Sequence, residues 1–379
     1  MGKNKNLGFF MIELIPKIIE FNLFKKFGFP KILPIFLTLS VNDWCNSRCK
    51  TCNIWKNNAQ TKIAEQLKIG EYEKIIQNFN SLSWITITGG EPFLRDDLPD
   101  IVKIVYEKTK PRYITIATNA TVPKRIVENT KRILETCQEL KLNVNISIDE
   151  IENKHDEIRG YKGNYALAMR TFKSLKELGS NHLFVGFNTV ISSFNVSNFA
   201  NIYEQLAQLN PDSYICEIAE KRAKLYNLDL RVMPTDNEYE KTLKFLISIL
   251  TDSKRKDVPE IVRKLRIEFY KYLINNKKID NFEGIASAYI MSNGELWLSY
   301  SKRFVAGNLR DVNYDFKKLW FNEKASQFRK IMNSDRYSTS LANAFYTNFM
   351  CNPKMLLKTI FKLNCFSHTI LIKPKEHQS

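Results

Sequence analysis

The stretch NDWCNSRCKTCNIW, residues 42–55, holds three of the seven cysteines of this 379-residue chain. Cys45, Cys49 and Cys52 follow one another with the spacing C-x3-C-x2-C, directly after an apolar run. Their neighbours are Asn, Ser, Arg, Lys and Thr, which are poor company for cysteines buried in a hydrophobic core. The pattern therefore favours a ligand-binding loop over simple core packing.

Three uses of such a loop compete. A structural zinc site needs four ligands, and the sequence contains no second C-x2-C pair. A redox dithiol built on CKTC would not need Cys45. A [4Fe–4S] cluster normally takes four cysteines, so three thiolates leave one iron open to a small molecule. The triplet alone favours the cluster and leaves the other two uses open.

The fold that carries this loop is indicated by a regular alternation of patterns from about residue 35 onwards. Alternating apolar runs predict strands near residues 35–42, 84–88, 112–118, 142–148, 182–191 and 213–218. Helix-period segments separate them, near residues 69–80, 97–110, 123–141, 163–179 and 196–209. Such alternation predicts a parallel sheet with right-handed crossovers, and six units fall short of a closed eightfold barrel. The predicted fold class is α/β, a partial (β/α)6 TIM-type barrel with a smaller α+β C-terminal extension.

The pattern changes beyond residue 235. A basic helical stretch is followed by a segment over 287–300 that predicts a hairpin with Asn293-Gly294 as its turn, and 315–332 predicts a helix. We therefore predict four parts: a basic amphipathic segment at 1–34, the barrel at 35–235, a C-terminal domain at 236–350 and a basic tail at 351–379.

A second loop strengthens the case for a site. In WITITGGEPFLRDDL, residues 84–98, the glycines Gly89 and Gly90 follow the second predicted strand. Glycines allow a sharp turn that exposes backbone amides and carbonyls, and the carboxylate of Glu91 can accept a hydrogen bond from an ammonium group. Both loops follow the carboxyl ends of adjacent parallel strands, which is where α/β barrels build active sites.

With these two loops side by side, the sequence resembles the radical SAM enzymes. The resemblance covers about residues 35–235 and rests on CNSRCKTC, GGEP, TNA (118–120), SIDE (147–150) and HDEIRG (155–160). Two positions depart from the family pattern. Thr51 stands where an aromatic residue is common, and Glu150 stands where glycine is common. Neither departure removes a group with a chemical role.

The resemblance implies one [4Fe–4S] cluster and S-adenosyl-L-methionine (SAM) as cofactors. It implies that the cluster is ligated by Cys45, Cys49 and Cys52. SAM would bind the fourth iron through its amino and carboxylate groups. It implies that the methionine amino group of SAM is contacted by Gly89, Gly90 and Glu91. It implies further that Ser147 contacts the ribose, that Arg159 contacts the carboxylate and that Asn119 lines the surrounding cavity. For Arg159 a surface salt bridge to Asp156 is the alternative.

The activity that the resemblance implies is reductive cleavage of SAM to a 5′-deoxyadenosyl radical, which takes hydrogen from an unidentified substrate. The partners are then that substrate and a low-potential electron donor of the flavodoxin or ferredoxin type. The alternatives are a decayed iron–sulfur accessory protein without radical chemistry, or an enzyme of the class that modifies peptides or RNA. No recognisable RNA-binding module is present, so nucleic acid is not an expected partner.

The C-terminal segment ASAYIMSNGELWLSYSKRFVAGNLRD, residues 286–311, resembles the SPASM/twitch extension of many radical SAM enzymes. That extension usually holds auxiliary iron–sulfur clusters through a Gly-x4-Cys step, but here Gly294 leads to Ser299. Cys351 and Cys365 remain, and two thiolates cannot hold a cubane alone. We therefore expect a single cluster, and a redox-neutral or SAM-consuming reaction is favoured.

The chain is basic, with a formal net charge of +17, and it contains no apolar run near the roughly 18–20 residues that span a bilayer. Its start is not typical of a signal peptide, and its few, uneven cysteines fit a reducing compartment. Basic amphipathic segments at 8–29 and 352–364 predict peripheral contact with an anionic membrane surface. The alternative is ordinary docking onto the barrel. The expected location is the cytoplasm, including the inner face of the membrane.

Overall fold

Six parallel strands form the frame of the computed structural model, which describes residues 2–59, 65–251, 260–275, 279–300, 302–334, 336–337 and 342–355. They are β1 (Phe36–Ser40), β2 (Trp84–Thr88), β3 (Tyr113–Thr118), β4 (Lys141–Ser147), β5 (Leu183–Ile191) and β6 (Ser213–Ile218). Each strand pairs in parallel with the next one along the chain. The predicted α/β class with a partial barrel is confirmed.

Helices precede and connect these strands: α1 (Gly2–Phe27), α2 (Ile69–Ile76), α3 (Leu98–Thr109), α4 (Pro123–Thr136), α5 (Glu152–Arg159), α6 (Asn164–Glu177) and α7 (Phe199–Gln208). Pro123 stands at the first helical position of α4, where its missing N–H costs nothing. The polar helix α5 was not among the predicted helices, because its eight residues carry no apolar stripe. None of the described helices combines the length and the apolar character needed to cross a membrane.

The C-terminal part continues the same sheet. Its elements are α8 (Asp236–Thr251), α9 (Glu260–Ile274), β7 (Ile279–Asp280), β8 (Ser287–Ile290), β9 (Glu295–Ser299), β10 (Phe304–Asn308), α10 (Phe316–Trp320), α11 (Glu323–Ser334), β11 (Arg336–Tyr337) and α12 (Ala342–Met350). Strand β8 pairs in parallel with β1, on the side away from β2, and β9 and β10 follow antiparallel. The sheet order is therefore β10-β9-β8-β1-β2-β3-β4-β5-β6.

The predicted hairpin is confirmed as β8 and β9, with Gly294 at a φ of +88° in its turn. The single helix predicted over 315–332 is instead two helices, α10 and α11, separated at Phe321 and Asn322. The Asn322 side chain explains the break, because its Oδ1 accepts from the amide of Ala325 at 2.7 Å at the start of α11. The predicted basic tail lies outside the described residues from position 356 onwards, together with Cys365.

The two faces of the parallel sheet differ in character. On β2, Ile85 and Ile87 are fully buried against the helices, whereas the alternate residues Thr86 and Thr88 are half-buried. The same alternation places hydroxyl and amide side chains on the inward face of five neighbouring strands: Thr38, Ser40, Thr86, Thr88, Thr115, Asn143, Asn145, Ser147 and Asn188. The barrel therefore encloses a polar interior that opens to solvent, beneath the loops at the carboxyl ends of the strands.

Candidate functional site

The turn after β2 is hydrogen-bonded to the start of the cysteine loop. The amide of Gly90 donates to the carbonyl oxygen of Asn42 at 2.8 Å, and the amide of Glu91 donates to that of Trp44 at 2.9 Å. The Asn42 side chain returns a bond to the carbonyl oxygen of Glu91, also at 2.8 Å. These bonds hold the two predicted loops together as one backbone surface.

Both glycines of this turn are required by the close approach. Gly89 has a φ of +146°, and a β-carbon there would lie 2.2 Å from the carbonyl oxygen of Asn42. A β-carbon on Gly90 would lie 1.9 Å from the carbonyl oxygen of Trp44. Because the opposing atoms are backbone atoms, a side chain at either position would force the loops apart.

The end of α5 supports the middle of the cysteine loop. The amide of Arg48 donates to the carbonyl oxygen of Arg159 at 3.0 Å, and the amide of Lys50 donates to that of Ile158 at 2.8 Å. These bonds satisfy carbonyl groups that a helix end leaves without intrahelical partners. Gly160 ends the helix at a φ of +61°, and a β-carbon there would lie 2.3 Å from the Arg48 carbonyl oxygen.

The segment after β6, residues 219–230, supports the far end of the cysteine loop. The amide of Asn53 donates to the carbonyl oxygen of Leu225 at 2.8 Å, and the side chain of Asn227 donates to that of Thr51 at 2.9 Å. The buried ammonium of Lys224 lies 2.7 Å from Oδ1 of Asp43. The sequence did not predict a role for this segment. No local motif marks its residues, because their partners in the cysteine loop lie more than 170 positions away.

The three predicted cluster cysteines are present as thiols in this supported loop. Cys45 and Cys49 are buried and Cys52 is half-buried. Burial, together with the neighbouring Cys49, raises the pKa of Cys45 and of Cys52 to about 12 each. The guanidinium of Arg159 opposes this effect and lowers the pKa of all three thiols. One buried cation thus acts on the whole triplet.

The metal centres considered above differ in how their ligands are arranged. Within the described ranges, no three His, Cys, Asp or Glu side chains converge closely enough to hold a metal ion. A zinc site needs such convergence on one point. A cubane takes each thiolate on a separate iron, so its ligands stand apart. The guanidinium of Arg159, which acts on all three thiols, would complement the negative charge of an iron–sulfur cluster.

Glu91 joins the turn after β2 to the end of β3. Its carboxylate accepts hydrogen bonds from the amide of Phe93 at 3.2 Å, from the hydroxyl of Thr118 at 2.8 Å and from the amide of Asn119 at 2.6 Å. Burial raises the pKa of Glu91 to about 7, although these bonds act in the opposite direction. A carboxylate has about four acceptor positions, so one remains for an ammonium group.

Asn119 and Ser147 occupy different positions in the site. The side-chain amide of Asn119 donates to Asn46 Oδ1 at 2.8 Å and to Ser47 Oγ at 2.9 Å, and it lies 3.8 Å from the sulfur of Cys45. It therefore faces the cysteine loop and helps to fix its shape. Ser147, the last residue of β4, is half-buried on the inward face, opposite Asn188 of β5.

Arg159 reaches from α5 into the site, and its side chain is only 11% exposed. It pairs with the fully buried Asp149 at 3.0 Å, whereas Asp156, the partner considered from the sequence, accepts from the amide of Tyr165 at 2.8 Å. Burial alone would lower the pKa of Arg159, but Cys49 and Asp149 raise it. Its buried Nε has no acceptor among the described residues, and such an orphan N–H marks the place of a missing partner.

His155 and Asn164 form a buried bridge that the sequence analysis did not assign, although His155 lies inside the quoted HDEIRG. The amide of Asp149 donates to Nδ1 of His155 at 3.1 Å, so the ring proton is on Nε2, which faces Asn164 Oδ1 at 3.1 Å. The Asn164 amide then donates to the carbonyl oxygen of Asn119 at 2.7 Å. Burial, together with the nearby charge of Arg159, lowers the pKa of His155 to about 4. A neutral imidazole thus ties β4, α5 and β3 together.

Apolar side chains surround the opening of the barrel. Large exposed residues follow β1, β5 and β6, with exposed fractions between 41% and 51%: Trp44, Phe194, Tyr226, Leu228 and Met233. Lys50 of the cysteine loop lies 5.7 Å from the ring of Phe194, which places these loops side by side. Exposed apolar groups gathered at a polar opening are typical of a binding site.

The position where a first auxiliary-cluster cysteine was expected holds a different structure. Ser299 donates to Glu283 Oε2 at 2.9 Å, and Tyr289 donates to Glu283 Oε1 at 2.9 Å. The amide of Tyr300 donates to the same Oε1 at 3.2 Å. A fully buried carboxylate, satisfied by hydroxyl and amide donors, stands at this position.

Comparison with known proteins agrees with this site. Residues 39–206 match the family model described as the radical SAM superfamily. The chain is 27% identical over 305 residues to Fe-coproporphyrin III synthase of Methanosarcina barkeri, which covers 73% of this chain and 71% of that protein. It is 27% identical over 178 residues to the sporulation killing factor maturation protein SkfB of Bacillus subtilis, covering 46% and 40%.

Solved structures share the fold. The structure of native anSMEcpe with bound AdoMet and Cp18Cys peptide superposes with a TM-score of 0.56 at 17% identity, covering 89% of this chain and all of that one. Streptococcus suis SuiB bound to precursor peptide SuiA gives a TM-score of 0.55 at 15% identity, covering 84% and 76%. The cysteine loop and the adjoining glycine turn both lie in the matched range, so residues 39–206 form a radical SAM domain, and the protein is an enzyme of that class.

Proposed function

We propose that Cys45, Cys49 and Cys52 hold one [4Fe–4S] cluster and that SAM binds at its open iron. The observation that carries the proposal is the triplet of thiols, two buried and one half-buried, supported on three sides and lying beside a guanidinium with an orphan N–H. When bound, the cluster and SAM supply the chemistry, in which one electron breaks a C–S bond and the resulting 5′-deoxyadenosyl radical removes hydrogen from a substrate.

The chain's own residues would bind and orient SAM. The Nε of Arg159 would donate to the SAM carboxylate, while Asp149 holds the other side of the guanidinium. The remaining acceptor position of Glu91, with the backbone of Gly89 and Gly90, would receive the methionine ammonium. Ser147, on the inward face at the end of β4, would contact the ribose.

The electron would come from a low-potential carrier protein of the flavodoxin or ferredoxin type. The formal net charge of +17 supports an acidic partner, because complementary charge accelerates encounter. A peripheral location at the inner face of the membrane stays a prediction.

The substrate would place a polar reacting part in the barrel and an apolar part against the opening. This division follows from the hydroxyl and amide lining inside and from the exposed apolar side chains outside. Relatives named for a porphyrin and for killing-factor maturation show that sequence likeness does not select a substrate. The buried Glu283 network at the auxiliary-cluster position favours a redox-neutral or SAM-consuming outcome.

The test is anaerobic reconstitution followed by iron, sulfide and nucleoside analysis. We expect about four irons and four sulfides per chain, and 5′-deoxyadenosine on addition of SAM and dithionite. Replacing Cys45, Cys49 and Cys52 together by Ala should abolish the visible cluster absorption. Cys137→Ala is the matched control, since Cys137 is a buried free thiol outside the loop.

Each outcome separates the candidates. Iron near eight or twelve per chain would contradict the single cluster. Cluster absorption that survives the triple substitution would contradict the ligand assignment. A wild-type cluster with SAM bound but no 5′-deoxyadenosine would favour the decayed accessory protein.

A further inference from the structure

Over residues 14–27, where its side chains are described, helix α1 is docked by one face. Leu14, Ile18, Phe21 and Phe24 are buried, at spacings that place them along one side of the helix. Phe24 meets Phe321 edge to face at 6.1 Å, and Asn22 donates to the carbonyl oxygen of Cys351 at 2.9 Å. This face of α1 is therefore docked against the protein, as the alternative to membrane contact predicted. The residues that it contacts here, Phe321 and Cys351, belong to the C-terminal part of the chain.

The opposite face of α1 is also apolar. Ile15, Ile19, Leu23 and Phe27 are spaced by four residues and are 37%, 55%, 42% and 65% exposed. Phe29, just beyond the helix, is 72% exposed. We call these five side chains the α1 apolar line. A helix on a protein surface normally turns polar residues outward, so an apolar outer face needs a partner.

The charge around the α1 apolar line selects the partner. Residues 14–34 contain four lysines against one acid, Glu20, a balance of +3. Glu20 pairs with Lys17 at 2.8 Å and Lys25 lies 3.4 Å from Asp280, whereas Lys26 and Lys31 are exposed. A second copy of the chain, meeting this face across a twofold axis, would set these lysines against their own copies. Anionic lipid complements them, and interfacial helices combine apolar bulk with lysine in this way.

We propose that the α1 apolar line is a docking surface for an anionic lipid bilayer. The line ends at Phe29, before the amino end of β1, whereas the cysteine loop follows the carboxyl end of the same strand. Attachment through this face therefore leaves the barrel opening at the other end of the strands. Membrane docking in this form does not require a lipid substrate.

The test is co-sedimentation of the full chain with vesicles of phosphatidylcholine alone and of equal parts phosphatidylcholine and phosphatidylglycerol. We expect wild type to pellet with the anionic vesicles, and the Ile19→Ser, Leu23→Ser variant to lose at least about tenfold in partitioning. The matched control is Leu209→Ser, Ile331→Ser, because these side chains are 43% and 61% exposed, just after α7 and within α11. The control should partition like wild type.

A second variant tests the charge. Lys26→Gln, Lys31→Gln should weaken binding to anionic vesicles and reduce its sensitivity to salt, with unchanged circular dichroism. Equal partitioning of the serine variant and its control would overturn the proposal, as would negligible pelleting of wild type with both vesicles. A dimer on size exclusion that the serine variant abolishes would assign the line to a second copy. Binding that appears only after removal of residues 356–379 would assign it to that segment.

Discussion

Gly90→Ala tests whether close backbone contact between the turn after β2 and the cysteine loop holds the site together. The added methyl group would lie 1.9 Å from the Trp44 carbonyl oxygen and 2.9 Å from the amide nitrogen of Cys45. Neither atom can move without its chain, so the loops must separate. Separation breaks the bonds Gly90–Asn42 and Glu91–Trp44 and the Asn42 side-chain bond. Three hydrogen bonds at about 0.5–1.5 kcal/mol each give a loss of about 1.5–4.5 kcal/mol in unfolding free energy.

The assay is urea unfolding followed by circular dichroism, together with iron content after reconstitution. Gly70→Ala is the matched control, because Gly70 lies in α2 and nothing stands within 4 Å of its added β-carbon. That control should be neutral or more stable by up to about 1 kcal/mol. If the two variants unfold at the same urea concentration and retain equal iron, the close contact does not support the site.

Three further predictions concern buried ionisable side chains. Arg159→Met should weaken SAM binding roughly tenfold or more in calorimetry at matched iron content, because a charged hydrogen bond contributes about 1.5–3 kcal/mol. The surface variant Arg125→Met should bind SAM as tightly as wild type. Equal affinities of the two variants would leave Arg159 with a purely structural role. The pKa of His155 is about 4 in the folded chain and 6.5 ordinarily. Between these two pH values the unfolded chain therefore binds a proton that the folded chain does not. Stability should thus fall by up to about 3 kcal/mol as the pH falls from 6.5 to 4, and His155→Gln should flatten that part of the urea-unfolding profile. Lys224→Met leaves Asp43 buried without its cation and should lower the free energy of unfolding by about 3–5 kcal/mol in the same assay. Adding Asp43→Leu should restore part of this stability. An unchanged urea midpoint in Lys224→Met would show that water already screens the pair.

The sequence predicts well those features that depend on local pattern. The period-two runs predicted all six strands of the barrel, and the rule that loops gather at the carboxyl ends of parallel strands placed Gly90 beside the cysteine loop. The sequence did not predict that Lys224 and Asn227 support the cysteine loop. Their partners lie on distant segments, and neither residue belongs to a repeating pattern. Nor did it predict the direction of Asn119, whose side chain turns to the cysteine loop because Asn46 and Ser47 offer acceptors there.

The pairing of β8 with β1 has a consequence for how the chain can be divided. Phe36 to Leu39 are paired with β2 on one side and with Ser287 to Ile290 on the other, so β1 is an interior strand only while the C-terminal part is present. A fragment ending at residue 235 would turn β1 into an open edge, with unpaired backbone groups directly beneath the cysteine loop. Such edges invite association with other chains. The change of pattern at residue 235 therefore marks a boundary in the sequence that is not a safe place to cut the protein.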